Sequence, residues 1–172
     1  MRQSRKALDA LAMFDFQPDP AQPKADFYRE VTQAAVALTE GEPDGVANMA
    51  NIAALLWQAM PDLNWAGFYR MVDGGLLLGP FVGRPACIRI PLGQGVCGTA
   101  AQSGESQCVA DVHAFPGHIA CDAASRSELV VPVKRGGEVI AVLDFDSPSP
   151  ARFDEGDQAG IEALAEAIAA RI

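Results

Sequence analysis

The chain has 172 residues, 13 Lys and Arg against 22 Asp and Glu, a net charge of −9, 49% apolar and 20% charged residues. That composition is ordinary for one globular domain with a sizeable core, and it excludes wholesale disorder or a low-complexity fibre. The acidic balance argues against a nucleic-acid partner, and no apolar run reaches the ~20 residues that cross a bilayer.

Residues 1–23 read as an N-terminal extension and linker, and 24–172 as a single domain. Pro18, Pro20 and Pro23 sit close together, each fixing φ and removing a backbone donor. Ala7 to Phe16 reads as a short helix or as disordered. The start carries Arg2, Arg5 and Lys6 and only a short apolar stretch, broken by Asp9, with no small-residue cleavage signal, so export is not expected and the cytoplasm is the default compartment.

From Ala25 the apolar residues follow a helical period: Phe27, Val31, Ala34, Ala35 and Leu38 form one stripe. A second helix is expected from Asp44 to Met60, ended by Pro61. The period then becomes two. Asn64 to Val72 and Leu76 to Phe81 read as strands joined by Asp73-Gly74-Gly75. Ala86 to Pro91 reads as a third strand and Gly95 to Ser103 as a short helix closed by Gly104. Gln107 to Ala110 is a short strand candidate, and residues 111–126 read as a loop. Glu128 to Val133 and Glu138 to Phe145 form a second hairpin, and Asp154 to Ile172 a last helix. This order predicts an α+β fold: a mostly antiparallel central sheet of five to six strands, helices on one face and a ligand pocket on the other.

Several residues could carry chemistry. Asp144 and Asp146 share a strand face about 6.7 Å apart, with Ile140 and Val142 expected on that face. Two carboxylates there are costly unless paired, or else the strand has ended and both are solvated. Glu128, leading another strand, reads alone as an exposed strand-end charge. Trp65 and Tyr69 share a face across Gly67, as a pocket wall or as core. Gly93-Gln94-Gly95-Val96-Cys97-Gly98 spells G-x-G-x-x-G, but the helix is too short and the pairing too antiparallel for a dinucleotide site. The glycines instead place Cys97 at a helix start, where a thiol pKa can be lowered.

The four cysteines, Cys87, Cys97, Cys108 and Cys121, lie mid-chain. In a chain without export signals such clusters serve catalysis, redox exchange or metals more often than architecture. Cys108, His113, His118 and Cys121 could supply four zinc ligands, although their spacing fits no common finger.

Read together, these segments resemble one family. Asn64-Trp-Ala-Gly-Phe-Tyr69, Leu78-Gly-Pro-Phe81, Ile90-Pro-Leu-Gly-Gln-Gly-Val-Cys-Gly98, Asp111 through His113 and His118 to Cys121-Asp122, and Val142-Leu-Asp-Phe-Asp-Ser147 look like the free methionine-(R)-sulfoxide reductases, single GAF-domain enzymes. The resemblance runs from about Phe27 to the C-terminus. The first ~25 residues and Cys108 depart from it. It implies Cys121 as nucleophile and Cys87 and Cys97 as resolving or relay thiols. It also implies Glu128, Asp144 and Asp146 in the substrate site, one of them the acid, with Trp65 and Tyr69 at the thioether end. The implied substrate is free methionine-R-sulfoxide and the implied reductant thioredoxin, with no metal, flavin or nicotinamide in the protein. A homodimer through the helices is compatible with such a domain. The competing readings are a non-enzymatic GAF-type sensor of small molecules or redox state, and a zinc-stabilised binding module.

Overall fold

The computed structural model describes residues 16–19, 21–117 and 122–172. Its elements run α1 (Lys24–Leu38), α2 (Gly45–Ala59), β1 (Trp65–Val72), β2 (Gly75–Gly83), β3 (Arg89–Pro91), α3 (Gly95–Ser103), β4 (Gln107–Val109), a 3-10 turn (Val112–Ala114), β5 (Ser127–Arg135), β6 (Glu138–Ser147) and α4 (Glu155–Ile168). The six strands form one sheet in the order β3-β2-β1-β6-β5-β4, and every pairing is antiparallel. The expected α+β architecture is therefore present, with the upper strand count. Among the described residues no helix is long and apolar enough to cross a membrane.

Local chemistry sets the helix ends. The Asp44 side chain accepts the Val46 and Ala47 N–H groups at 2.9 and 3.0 Å, capping α2. Asp154 and Asp157 close a reciprocal capping box at the start of α4. Gly104 ends α3 at φ 70°, a left-handed position that costs glycine nothing.

Two apolar layers sandwich the sheet. Phe27, Val31, Ile52, Leu56, Ile161, Leu164 and Ile168 pack onto Phe68, Leu129, Val131, Leu143 and Phe145 on one face. The opposite face carries Trp65, Tyr69, Val130 and Val142, covered by Val96, Cys97, Ala100 and Ala101 of α3. Among the described residues helices thus lie on both faces, three against one, and the one short helix leaves part of the second face open.

Three expectations are corrected. The third strand is only Arg89–Pro91, because residues 84–86 leave the sheet to line a cleft. The strand β2 runs past Phe81 to Gly83. Ile140 does not share the Asp144 face. The β5–β6 register shifts between Val133 and Lys134, so Val139 joins the cleft-side layer and Ile140 the opposite one.

Candidate active site

The cleft lies where α3 fails to cover the sheet. Its floor is built by strand register. Trp65 pairs with Asp146 and Gly67 with Asp144 across β1–β6. On the other side Glu128 pairs with Asp146 and Val130 with Asp144. Period-two alternation therefore puts Asp144, Asp146 and Glu128 on the face that holds Trp65 and Tyr69. All five line one cleft of about 540 Å³, counted with its open mouth.

The aromatic wall is a stack. Trp65 lies 5.8 Å from Tyr69 and 5.2 Å from Phe81, at interplanar angles of 21° and 12°. Gly67 makes this possible, since a Cβ there would collide with the Phe81 backbone and side chain. The Trp65 indole N–H donates to the Arg84 carbonyl at 3.2 Å, fixing the ring against the loop after β2.

Two of the floor carboxyls are buried. Glu128 and Asp144 are each 6% exposed. The strand-end reading of Glu128 as an exposed charge is thus overturned: β4 and β6 flank it and α3 roofs it. Burial, then the neighbouring carboxylates Asp144 and Asp146, push the Glu128 carboxyl well above its ordinary range. Burial and then Asp146 raise Asp144 likewise. Asp146 is raised to about 7, by burial above all, while a hydrogen bond to Ser125 opposes the rise. Among the described residues, Asp144 Oδ1 is a buried oxygen with no hydrogen-bond partner. The floor therefore holds protons at neutral pH and has an unmet appetite for a donor or cation.

Cys97 sits in the first turn of α3 with Sγ 3.9 Å from Glu128 Oε1. The expected lowering of its pKa is reversed. Complete burial, followed by Asp144 and Glu128, raises it and keeps the sulfur protonated. The helix terminus is outweighed chiefly because the sulfur is buried away from water, and the acidic groups beside it add to the effect. Gly98 makes the fit, since a Cβ there would strike the Pro91 carbonyl oxygen. Ligand atoms of Cys97, Glu128 and Asp144 all lie within 4.8 Å of one another, a set able to hold a metal ion as well as an ammonium group.

Cys87 belongs to the loop between β2 and β3 and is disulfide-bonded, whereas Cys97 and Cys108 are free thiols. Cys108 lies on β4, away from the cleft, with Sγ 3.5 Å from the Phe153 carbonyl. His113 pairs with Asp111 at 3.0 Å. His118 and Cys121 fall outside the described residues. Sequence reasoning had not singled out Arg84, Pro85, Gln94 or Ser125, which also line the cleft. A lone cation between Gly83 and Pro85 is their weak signal.

The sequence profile of the GAF domain matches residues 46–172. The free methionine-R-sulfoxide reductase of Escherichia coli is 48% identical over 141 residues, covering 82% of this chain and 86% of that protein. The chain belongs to the free methionine-R-sulfoxide reductase family of GAF-domain proteins. Protein YtsP of Bacillus subtilis is 52% identical, covering 82% and 88% of the two chains. The structure of the Neisseria meningitidis free methionine-R-sulfoxide reductase with its substrate superposes at a TM-score of 0.87, with 44% identity over 92% of this chain and 95% of that one. In this family the protein is an oxidoreductase.

Proposed function

We propose that the chain reduces free L-methionine-R-sulfoxide to methionine in the cleft walled by Trp65 and Tyr69. The observation that carries this is the carboxyl trio of buried Glu128 and Asp144 and half-buried Asp146 beneath that wall, joined to close relatives that bear this activity in their names.

A sulfoxide sulfur is a poor electrophile until its oxygen receives a proton. Carboxyls with raised pKa supply one at neutral pH, and Glu128 and Asp144 are such groups. Asp146, raised only to about 7, ionises near neutrality and pairs with the substrate ammonium. That pairing favours the free amino acid over a methionine in a peptide bond, which has no ammonium. The stacked rings take the methyl-thioether end.

Cys121 is the proposed nucleophile. Its thiolate attacks the substrate sulfur as the oxygen is protonated; the S–S bond so formed then breaks as the hydroxyl passes from the substrate sulfur to Cys121, so that methionine leaves and Cys121 becomes a sulfenic acid. A second thiol condenses with it, forming a disulfide and releasing water. Cys87 is favoured for that step, because it is disulfide-bonded while Cys97 is free and protonated. Cys97 then acts on the floor as a neutral hydrogen-bond donor to Glu128 or as a relay. Thioredoxin returns both thiols by exchange, oxidising its own dithiol. No metal, flavin or nicotinamide enters this scheme. The thiol cycle fits a reducing cytoplasm.

The test is NADPH consumption with thioredoxin and its reductase on three substrates: the free R-sulfoxide, the S epimer and an N-acetylated R-sulfoxide. Turnover of the first alone is expected. Silence on all three with the thiols reduced would favour a ligand-binding sensor instead.

A further inference from the structure

Among the described residues lining the cleft, one side chain is basic. Arg84 follows β2 at the mouth. Its backbone is held, through the 3.2 Å hydrogen bond from the Trp65 indole to its carbonyl. Its guanidinium is less so: the side chain is 77% exposed, and its one ion pair among the described residues is a loose 3.7 Å contact with Asp122 Oδ1. Asp122 is itself fixed, accepting from Asn64 Nδ2 at 3.1 Å and from the Ala124 N–H at 2.9 Å. These donors, with the Arg84 charge, keep Asp122 below the ordinary carboxylate range. The cleft thus presents a tethered cation with an exposed head at its mouth and carboxyls at its floor.

Four carboxyl groups line this cleft against a single guanidinium. A ligand's cationic end is drawn to the floor, and among the described lining residues the Arg84 guanidinium is the one side-chain cation that can meet its anionic end. A guanidinium also matches a carboxylate's two oxygens, and a loose exposed ion pair costs little to exchange. We propose that Arg84 anchors the α-carboxylate of the amino-acid substrate and is a specificity-determining residue. The assignment rests on the reductase reading above. The rival donors are the free N–H groups in the first turn of α3, where Gly95 and Val96 line the same cleft.

The test compares methionine-R-sulfoxide with its primary amide, which keeps the ammonium and loses the carboxylate charge. It uses the full chain and the Arg84→Gln and Arg84→Lys variants. Charge-assisted pairing predicts that the intact protein prefers the acid by about tenfold or more in kcat/KM. Arg84→Gln should raise KM for the acid about tenfold with a much smaller change in kcat, so that the preference for the acid collapses. Arg84→Lys should restore part of it. Added salt should narrow the preference in the intact protein and not in Arg84→Gln. Calorimetric titration with methionine and methioninamide should rank the three proteins in the same order without any turnover. An acid preference that survives Arg84→Gln would overturn the assignment and give the carboxylate to the α3 N–H groups. Equal losses on acid and amide would overturn it as well. An intact protein that neither turns over the sulfoxide nor binds methionine would refute the reductase reading itself, a result distinct from either.

Discussion

Replacing Asp146 by Asn should stabilise the protein above neutral pH while impairing its chemistry. The folded state raises this carboxyl from 3.8 to about 7, chiefly through burial. The fold therefore holds the proton more tightly than the unfolded chain does. Stability from this group is complete below about pH 4, declines as pH rises through the window, and is gone above about pH 7. A rise of that size corresponds to roughly 4 kcal/mol as a ceiling. Asp146 keeps partial solvent contact, and Asn also loses hydration on burial, so about 2 kcal/mol is expected at pH 8. The Asn oxygen can still accept from Ser125. Urea unfolding of both proteins at pH 4, 6 and 8, under reductant, measures this. The two should agree within about 0.5 kcal/mol at pH 4, with the variant ahead by a margin that grows toward pH 8. In Tm the gain at pH 8 is about 4–8 °C. Parallel curves, or a variant less stable at pH 8, would refute the argument that burial sets this carboxyl's affinity for its proton.

Other outcomes follow from the same geometry. In the intact protein kcat/KM for the free sulfoxide should rise with pH through an inflection near 7 as Asp146 ionises to meet the ammonium, and Asp146→Asn should abolish that inflection along with most of the activity. Cys121→Ser should abolish turnover in the coupled NADPH assay, whereas Cys108→Ser, altering a thiol on β4 remote from the cleft, should change it less than twofold; equal activities would remove Cys121 from its role. Gly98→Ala forces a Cβ against the Pro91 carbonyl and should cost about 1–3 kcal/mol by chemical unfolding, with activity falling as Cys97 is displaced. Asp157→Ala strips a buried carboxylate from Lys24 at 2.6 Å and Tyr28 at 2.7 Å and should cost about 3–5 kcal/mol, measured by urea unfolding.

Much of this protein was legible in its residues. The stripe of Phe27, Val31 and Ala35 and the caps at Asp44, Asp154 and Gly104 specify helices from chemistry confined to a few neighbours. Alternation puts Trp65 with Tyr69, and Asp144 with Asp146, on one face each, because a strand's period is two whatever surrounds it. The motif resemblance then supplied the family. The electrostatics of the site were not legible. Glu128 looked like a solvated strand end, and Cys97 like a thiol activated by a helix terminus. Both readings used local signals, and both fail because burial and charge density depend on what distant segments bring near. The register of β1, β5 and β6 gathers residues some 60 to 80 positions apart, and α3 roofs them. The bulge that moves Ile140 to the other face depends on the partner strand, so no periodicity within β6 could announce it. Arg84 is an ordinary surface cation in one dimension, and only folding brings the loop after β2 to the mouth of the acidic cleft. The sequence by itself determined the elements and the chemical vocabulary, since both follow from neighbours along the chain. The tertiary structure alone decided which carboxyls keep their protons and which charge stands opposite them, since both depend on excluding water from groups the chain holds far apart.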